Sequence, residues 1–415
     1  MNDTRSALTR GVARAFRLGQ DAWMVIGITV LLVVALEVSY RVQAAAKSSA
    51  LALIHPDPPT RLAPPNPFDS LPWAAAYRRD HESEEAVHWQ PYVYVGNPTF
   101  TGTHITVDSL GHRSTPQSTS AAPSILNVFF LGGSTTFGWY QRNEHTMPAE
   151  AVRRLQRYIG DSVRVAATNF GVPGQTFTQE IIELMLQLRS GARPDVVVFY
   201  DGINDVLAAV FNNASGLPQN EANRVDDFVR GRDRAAETKP GAAASLRVVR
   251  RISFEALQRL AFVQRILQVK HPVSPAEVSV DSLAAGTVRV YVANVELVEA
   301  LAARYGFQPV FVWQPALLSS HKPLTTHEKW VYGKSRIGDL HTAIPRLLDS
   351  AMAASRNAHF IDATTLFDSD SLGIYVDTYG HTYERANTRV VDTLMTQLEA
   401  AVVRQASSKR TARAH

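Results

Sequence analysis

The sequence of 415 residues contains no cysteine. This absence excludes disulfides, thiol nucleophiles and thiolate metal sites. It does not indicate a cellular compartment, because exported proteins also can lack cysteine. Histidines with metal-ligand spacing, such as the His-Glu-x-x-His pattern, are absent too. We therefore predict no metal and no cofactor.

Charged residues are scarce and unevenly placed. They make up 19% of the chain against 45% apolar residues, which is typical of a globular protein. The first twenty residues carry four arginines and one aspartate, and the last fifteen carry four basic residues and no acidic one. The net charge of +4 thus belongs to the two ends of the chain. It does not indicate a nucleic-acid partner, and we predict none.

Long apolar runs are rare, and the clearest one lies near the N-terminus. Fifteen uncharged and mostly apolar residues run from Ala22 to Leu36, whereas a membrane span needs about 20. Trp23 and Tyr40 are placed as interfacial anchors, and the arginines upstream would hold the N-terminus in the cytoplasm. We predict a single-pass membrane protein with an extracytoplasmic domain, periplasmic if the source is bacterial. The alternative is a signal peptide cleaved after the alanines at 44–46.

Composition divides the chain into segments. A basic cytoplasmic segment is predicted at 1–21 and a transmembrane signal anchor at 22–42. A Pro-rich stretch predicts an extended linker over 43–86, and an alternating stretch predicts a small β-hairpin lead-in over 87–122. The remaining predicted segments are an α/β domain over 123–404, an insertion in it at about 212–275 that is either a lid or a surface decoration, and a basic tail at 405–415.

Apolar runs and amphipathic stretches alternate from residue 124 onward. Strands that are apolar along their length and alternate with helices indicate a mostly parallel sheet covered on both faces. We predict an α/β fold, a flavodoxin-like three-layer sandwich with a mostly parallel five-stranded sheet, plus one N-terminal transmembrane helix. The predicted strands are 124–131, 163–169, 195–200, 308–313 and 358–361, and the predicted helices include 145–159, 176–190, 276–304 and 385–404.

The most informative motif is Gly-Gly-Ser-Thr-Thr at 132–136, directly after the first predicted strand. Its glycines permit a sharp turn, and a hydroxyl that opens the next helix lies where negative charge is stabilised. A phosphate loop would need Lys-Ser/Thr after its last glycine. The nucleophile elbow of α/β-hydrolases would need glycine in place of Thr136. Neither motif fits. An ordinary strand-to-helix turn is the default interpretation of this stretch by itself, and the blocks that follow favour Ser134 as a nucleophile instead.

Polar or Gly-rich blocks follow other predicted strands, at the sheet edge where open α/β folds bind ligands. Gly171 follows the second strand and Asn204 the third, while Asp377 and His381 lie near the C-terminus. A serine nucleophile needs a base, which His381 can supply and Asp377 can orient. The N–H groups of Ser134 and Gly171 and the side-chain amide of Asn204 are candidate donors for an oxyanion hole.

These four blocks resemble those of the SGNH (GDSL-like) hydrolase family, which is named after its Ser, Gly, Asn and His. The resemblance covers residues 123–404. The family places its triad acid three residues before the histidine, where this sequence has Thr378. Asp377 stands one residue further away, and Asp362, after the last predicted strand, is the reserve candidate.

The resemblance implies a carboxylic ester hydrolase that forms an acyl-enzyme at Ser134 with His381 as general base. Its substrate would be a small-molecule or carbohydrate ester, and the domain would be tethered to the membrane by the N-terminal helix. Two alternatives stay open. An O-acyltransferase of surface polysaccharide would differ only in the group that attacks the acyl-enzyme, and an inactive SGNH module would only bind carbohydrate.

Overall fold

The computed structural model describes residues 20–21, 23–25, 27–39, 41, 64–83, 88–219, 221, 224–225, 228, 278–333, 343–349, 353, 357 and 359–413. The chain divides into two compact units. One consists of Met1–Leu62 and Ala236–Ser274, and the other of Ala63–Ala235 and Pro275–His415. The sheet and the candidate site lie in the second unit.

The second unit begins with an aromatic cluster. A 3₁₀ turn at Pro67–Ser70 leads into helix α1, Ala74–Ser83. Phe68 is fully buried, and its ring meets those of Trp73 and Tyr140 at 5.2 Å. Residues 67–83 are therefore folded structure and not the extended linker that we predicted over 43–86. Their aromatic side chains have large apolar surfaces to bury, which the proline content of the preceding residues obscured.

Two short antiparallel pairs follow, where the sequence predicted one small hairpin over 87–122. Strand β1, His88–Gln90, pairs with β2, Tyr94–Gly96. Strand β3, Phe100–Thr101, pairs with β4, Thr106–Val107.

A parallel five-stranded sheet forms the centre of the second unit. Its order is β6-β5-β7-β8-β9, and all four pairings are parallel. This is the flavodoxin-like order, in which the chain switches direction beside the first strand. The five-stranded parallel sheet predicted from the sequence is confirmed, with strand bounds within about two residues. The strands are β5 Ile125–Gly132, β6 Arg164–Asn169, β7 Val196–Asp201, β8 Gln308–Trp313 and β9 Phe360–Asp362.

Helices cover both faces of the sheet. Val196 and Val198 of β7 join one core with apolar residues of helices α3 and α8, while Val197 and Phe199 join the other core with α4 and α6. The alternation follows from the pleat, because successive strand residues point to opposite faces. The named helices are α2 Ser134–Phe137, α3 Met147–Ile159, α4 Phe177–Arg189, α5 Ile203–Asn212, α6 Val280–Tyr305, α7 Thr326–Tyr332 and α8 Ala386–Arg413.

The N-terminal apolar run contains helical residues within 20–41. In the described part of the chain, no helix combines the length and the hydropathy needed to cross a membrane. The transmembrane helix and signal anchor predicted at 22–42 are therefore not supported. Glu37 ends the run after fifteen uncharged residues and pairs with Arg41 at 2.6 Å, so the run falls short of the about 20 residues of a span.

The predicted insertion at 212–275 lies mostly outside the described residues. Only residues 212–219, 221, 224–225 and 228 of it are described. Its predicted role as a lid or a surface decoration concerns the rest and stays a prediction. The described part nevertheless reaches the candidate site through Gln219.

Candidate active site

The candidate nucleophile stands at the carboxyl end of the central strand. Strand β5 ends at Gly132, and Ser134 is the first residue of α2. The Ser134 residue is 6% exposed. A Cβ at its neighbour Gly133 would collide with the side-chain nitrogen of Asn204, so any other residue there would displace this amide. The close approach of these two residues places the Asn204 amide directly beside the backbone that leads into Ser134.

Ser134, His381 and Asp377 form one chain of hydrogen bonds. The Ser134 hydroxyl oxygen lies 2.7 Å from His381 Nε2, and His381 Nδ1 lies 2.6 Å from Asp377 Oδ2. A carboxylate can only accept, so the histidine carries its hydrogen on Nδ1 and Nε2 is free to accept from the serine. This tautomer is the one a general base needs in the resting state.

Asp377 is held in place by the turn that it begins. Its second oxygen, Oδ1, accepts a hydrogen bond from the backbone N–H of Tyr379 at 2.9 Å. The carboxylate thus reaches His381 across a spacing of four residues, one more than in the Asp-x-x-His pattern. Asp362, the reserve candidate, is engaged elsewhere: its oxygens accept from the N–H and the hydroxyl of Thr364 at 2.8 and 3.0 Å.

Aromatic rings surround His381, which is 2% exposed. The ring centroids of Trp139 and Tyr140 lie 4.9 and 5.7 Å from that of His381. Burial, together with the charge of Asp377, raises the pKa of Tyr140 to about 12. Tyr140 is therefore a neutral phenol at ordinary pH. The imidazole lies among groups that exclude water, which strengthens its hydrogen bonds to serine and aspartate.

The side chain of Asn204 is oriented from two sides. Its Nδ2 donates to the carbonyl of Gln175 at 2.7 Å, and its Oδ1 accepts from Gln219 Nε2 at 2.9 Å. An amide nitrogen has two hydrogens, so one remains for another acceptor near Gly133. Neither Gln175 nor Gln219 was found from the sequence, because glutamines in loops have no distinguishing pattern.

Gly171 lies against the first turn of α2. A Cβ at this position would collide with the backbone of Thr136 and Phe137. Its N–H donates to Asn169 Oδ1 at 2.9 Å. The sequence predicted this N–H as an oxyanion donor, but in the structure it is already engaged. In the structure, the absence of a side chain at Gly171 allows its loop to pack closely on α2.

A buried guanidinium fixes the loop after α2. Arg113 is 1% exposed and donates to the carbonyls of Phe137, Gly138 and Gln141 at 3.2, 3.0 and 2.6 Å. These bonds hold the segment that contains Trp139 and Tyr140. Sequence reasoning missed Arg113, because a single arginine in a lead-in segment resembles any surface charge.

Three carboxyl groups are buried behind Asn204. In the described part of the chain, the carboxyl groups of Glu180 and Asp201 are hydrogen-bonded to each other, whereas Asp205 Oδ2 and the hydroxyl of Tyr291 have no hydrogen-bond partner. Burial and mutual repulsion raise the pKa of Glu180 well above its usual range. Burial is also the main cause of the raised pKa of Asp201 and of the rise to about 7 at Asp205. These groups are therefore protonated over much of the acidic range.

Metal ligands are not gathered anywhere in the residues that the structure describes. No group of three or more His, Cys, Asp or Glu side chains has an arrangement that could hold a metal ion there. The prediction that the chain needs no metal or cofactor stays a prediction.

Part of this sequence is similar to a known protein family. Residues 128–249 match the sequence model of the GDSL-like Lipase/Acylhydrolase family. The match contains Ser134, Gly171 and Asn204 and supports the SGNH resemblance. His381 and Asp377 lie outside it. No curated protein matches the sequence.

Solved structures of such proteins show low similarity to this chain. One is a member of the lipolytic protein G-D-S-L family from Veillonella parvula, with 12% identity, a TM-score of 0.36, and 65% of this chain and 97% of that chain covered. Another is the acetyl xylan esterase AlAXEase, with 13% identity, a TM-score of 0.34, and 66% of this chain and 99% of that chain covered. A third is Axe2, an acetylxylan esterase from Geobacillus stearothermophilus, with 12% identity, a TM-score of 0.33, and 67% of this chain and 95% of that chain covered. Likeness at this level says nothing about the substrate of this chain.

Proposed function

We propose that this chain is a serine ester hydrolase of the SGNH type. The observation that carries the proposal is the unbroken hydrogen-bonded series from Ser134 through His381 to Asp377, at 2.7 and 2.6 Å. A hydroxyl, an imidazole and a carboxylate in this order are the components of acyl transfer through a covalent intermediate. The match of residues 128–249 to the GDSL-like family supports it.

The first half of the proposed reaction forms an acyl-enzyme. The Ser134 oxygen attacks the ester carbonyl carbon while His381 Nε2 takes the hydroxyl proton. Asp377 stabilises the imidazolium that results. The negative oxygen of the tetrahedral intermediate accepts hydrogen bonds from the Ser134 N–H and from the remaining amide hydrogen of Asn204. The carbon–oxygen bond of the ester then breaks, and His381 gives its proton to the departing alcohol.

The second half repeats these steps with water. His381 removes a proton from a water molecule, whose oxygen attacks the acyl carbon. The bond to Ser134 breaks, the acid departs, and the serine recovers its proton from the imidazolium. Gly171 enters this scheme through close packing, since its N–H is bound to Asn169. A small-molecule or carbohydrate ester is the proposed substrate class.

Hydrolysis of p-nitrophenyl acetate tests the proposal. Ser134→Ala should lower kcat by about 10⁶-fold, because the nucleophile is lost and only the residual catalysis by the oxyanion hole and substrate binding remains. Asn204→Ala should lower kcat by about 10²–10³-fold, the usual cost of one lost oxyanion donor. Ser162→Ala, at an exposed serine, is the matched control and should retain the wild-type rate. A Ser134→Ala variant that is as active as the wild type would contradict the proposal.

A further inference from the structure

The candidate base and acid lie at the tip of one hairpin, residues 374–383, which we call the C-terminal hairpin. Tyr375 and Thr382 form its antiparallel bridge. The N–H of Val376 donates to the carbonyl of His381 at 2.8 Å. Asp377 follows directly after Val376, so any movement of the first strand of the hairpin moves Asp377 relative to His381 and Ser134.

Two consecutive side chains of helix α7 form hydrogen bonds with the backbone of that first strand. Glu328 Oε1 accepts hydrogen bonds from the N–H groups of Ile374 and Tyr375 at 2.8 and 3.2 Å. His327 Nε2 lies 2.8 Å from the carbonyl oxygen of Val376. A carbonyl can only accept, so the histidine is the donor. Three successive residues that lead into Asp377 are thus fixed by side chains of a single helix.

The carboxylate of Glu328 is itself held in place by hydrogen bonds. Glu328 Oε2 accepts from Lys322 Nζ at 2.7 Å and from the N–H of Thr325 at 2.9 Å, and the side chains of the Lys322–Glu328 pair are fully buried. Although burial acts to raise the pKa of Glu328, the bonds from Lys322 and three backbone N–H groups lower it below its usual value. Glu328 therefore stays ionised.

We propose that His327 and Glu328 are positioning residues that set the place of Asp377 and His381 opposite Ser134. This inference rests on the proposed function. A buried ion pair seldom stabilises a fold more than apolar residues of the same volume would. Packing alone therefore does not account for the pair, whereas apolar side chains would leave the direction of the 374–376 backbone unspecified. Hydrogen bonds to its N–H and C=O groups specify that direction.

His327 is the residue at which this inference is best tested. Loss of Glu328 would leave Lys322 buried without its partner, and the variant could unfold for that reason. His327→Leu removes the donor and keeps an apolar side chain of similar bulk. His327→Gln retains an N–H donor near the position of Nε2. Lys329→Leu changes an exposed residue of the same helix and is the control.

Hydrolysis of p-nitrophenyl acetate by the full-length variants gives the first readout. His327→Leu should lower kcat by about 10²-fold, the scale of a small misplacement of catalytic groups, with little change in KM. His327→Gln and Lys329→Leu should retain most of the wild-type kcat. A leucine variant with wild-type kcat, or a glutamine variant as impaired as the leucine one, would overturn the inference.

Amide hydrogen exchange of the C-terminal hairpin gives a second readout that does not depend on activity. Peptides covering 374–383 should exchange faster in His327→Leu than in the wild type, and at wild-type rates in His327→Gln. Equal exchange in all variants would overturn the positioning role even if activity were lost. If the wild type instead hydrolyses no ester, the proposed function fails, and the exchange data still decide whether His327 fixes the hairpin.

Discussion

At the scale of single residues, the least expected feature is the spacing of the acid and the histidine. Asp377 and His381 are four residues apart in the chain, and the extra residue is accommodated by the turn that Asp377 makes with the N–H of Tyr379. The sequence named both Asp377 and Asp362 as candidates. It favoured Asp377 and kept Asp362 in reserve, because loop geometry, which a sequence does not show, determines which carboxylate faces the imidazole.

Substitution of the two aspartates separates their roles. Asp377→Asn should lower kcat by up to about 10⁴-fold, because an amide can hold the imidazole in the wrong tautomer. Asp362→Asn should leave kcat close to that of the wild type, since Asp362 bonds to Thr364 and not to His381. Steady-state hydrolysis of p-nitrophenyl acetate measures both. A larger loss in Asp362→Asn would reverse this assignment of the triad acid.

The buried carboxyl group of Asp205 should make stability depend on pH. Its pKa rises from an ordinary 3.8 to about 7 in the folded chain because of burial, so the folded state retains a proton that the unfolded state releases. The stabilisation is complete below about pH 4 and is lost as pH rises toward 7. Asp205→Asn removes this loss and keeps an acceptor for the N–H of Phe177, which donates to Asp205 Oδ1 at 3.4 Å.

Urea unfolding at pH 4.5 and pH 8 measures this effect. The free energy of unfolding of Asp205→Asn minus that of the wild type should be larger at pH 8 than at pH 4.5. Asp161→Asn changes an exposed carboxylate and should show no comparable gain. A difference between Asp205→Asn and the wild type that is the same at both pH values would show that Asp205 is ionised in the folded state.

At the scale of elements, the long apolar strands were predictable and the short polar-rich elements were not. Strand β8 was placed at 308–313 and has those bounds, because an apolar run between turn residues leaves few alternatives. Helix α7 has seven residues and was missed, since so short a stretch shows too little periodicity. The aromatic turn before α1 was missed because its composition was attributed to a linker.

Removal of one aromatic ring from this turn tests whether residues 67–83 are part of the fold. Phe68 is fully buried among Trp73, Tyr77 and Tyr140. Phe68→Ala should lower the free energy of unfolding by about 3–5 kcal/mol. Leu110→Ala, at a side chain that is 76% exposed, should change it by less than about 0.5 kcal/mol. Urea denaturation of both variants measures these changes. If Phe68→Ala leaves the free energy of unfolding unchanged, residues 67–83 are an extended linker, as the sequence predicted.

At the scale of the whole molecule, the site follows from the topology of the sheet. Ser134 and His381 are 247 residues apart in sequence, yet both lie at the edge formed by the carboxyl ends of the strands, where open α/β folds bind ligands. From that rule, a common site could be predicted for residues from four separate blocks of the sequence. It could not reveal Arg113, Gln219 or His327, which act through backbone carbonyls or through other side chains and have no motif of their own.

Labelling with a fluorophosphonate probe tests the central claim most directly, because such probes react covalently with an activated serine. Mass spectrometry of the full-length protein after labelling should find the adduct on the peptide that contains Ser134. The adduct should be absent in Ser134→Ala and form far more slowly in His381→Ala. An adduct on another serine, equal labelling of Ser134→Ala, or no labelling of the wild type would contradict the assignment of Ser134 as an activated nucleophile.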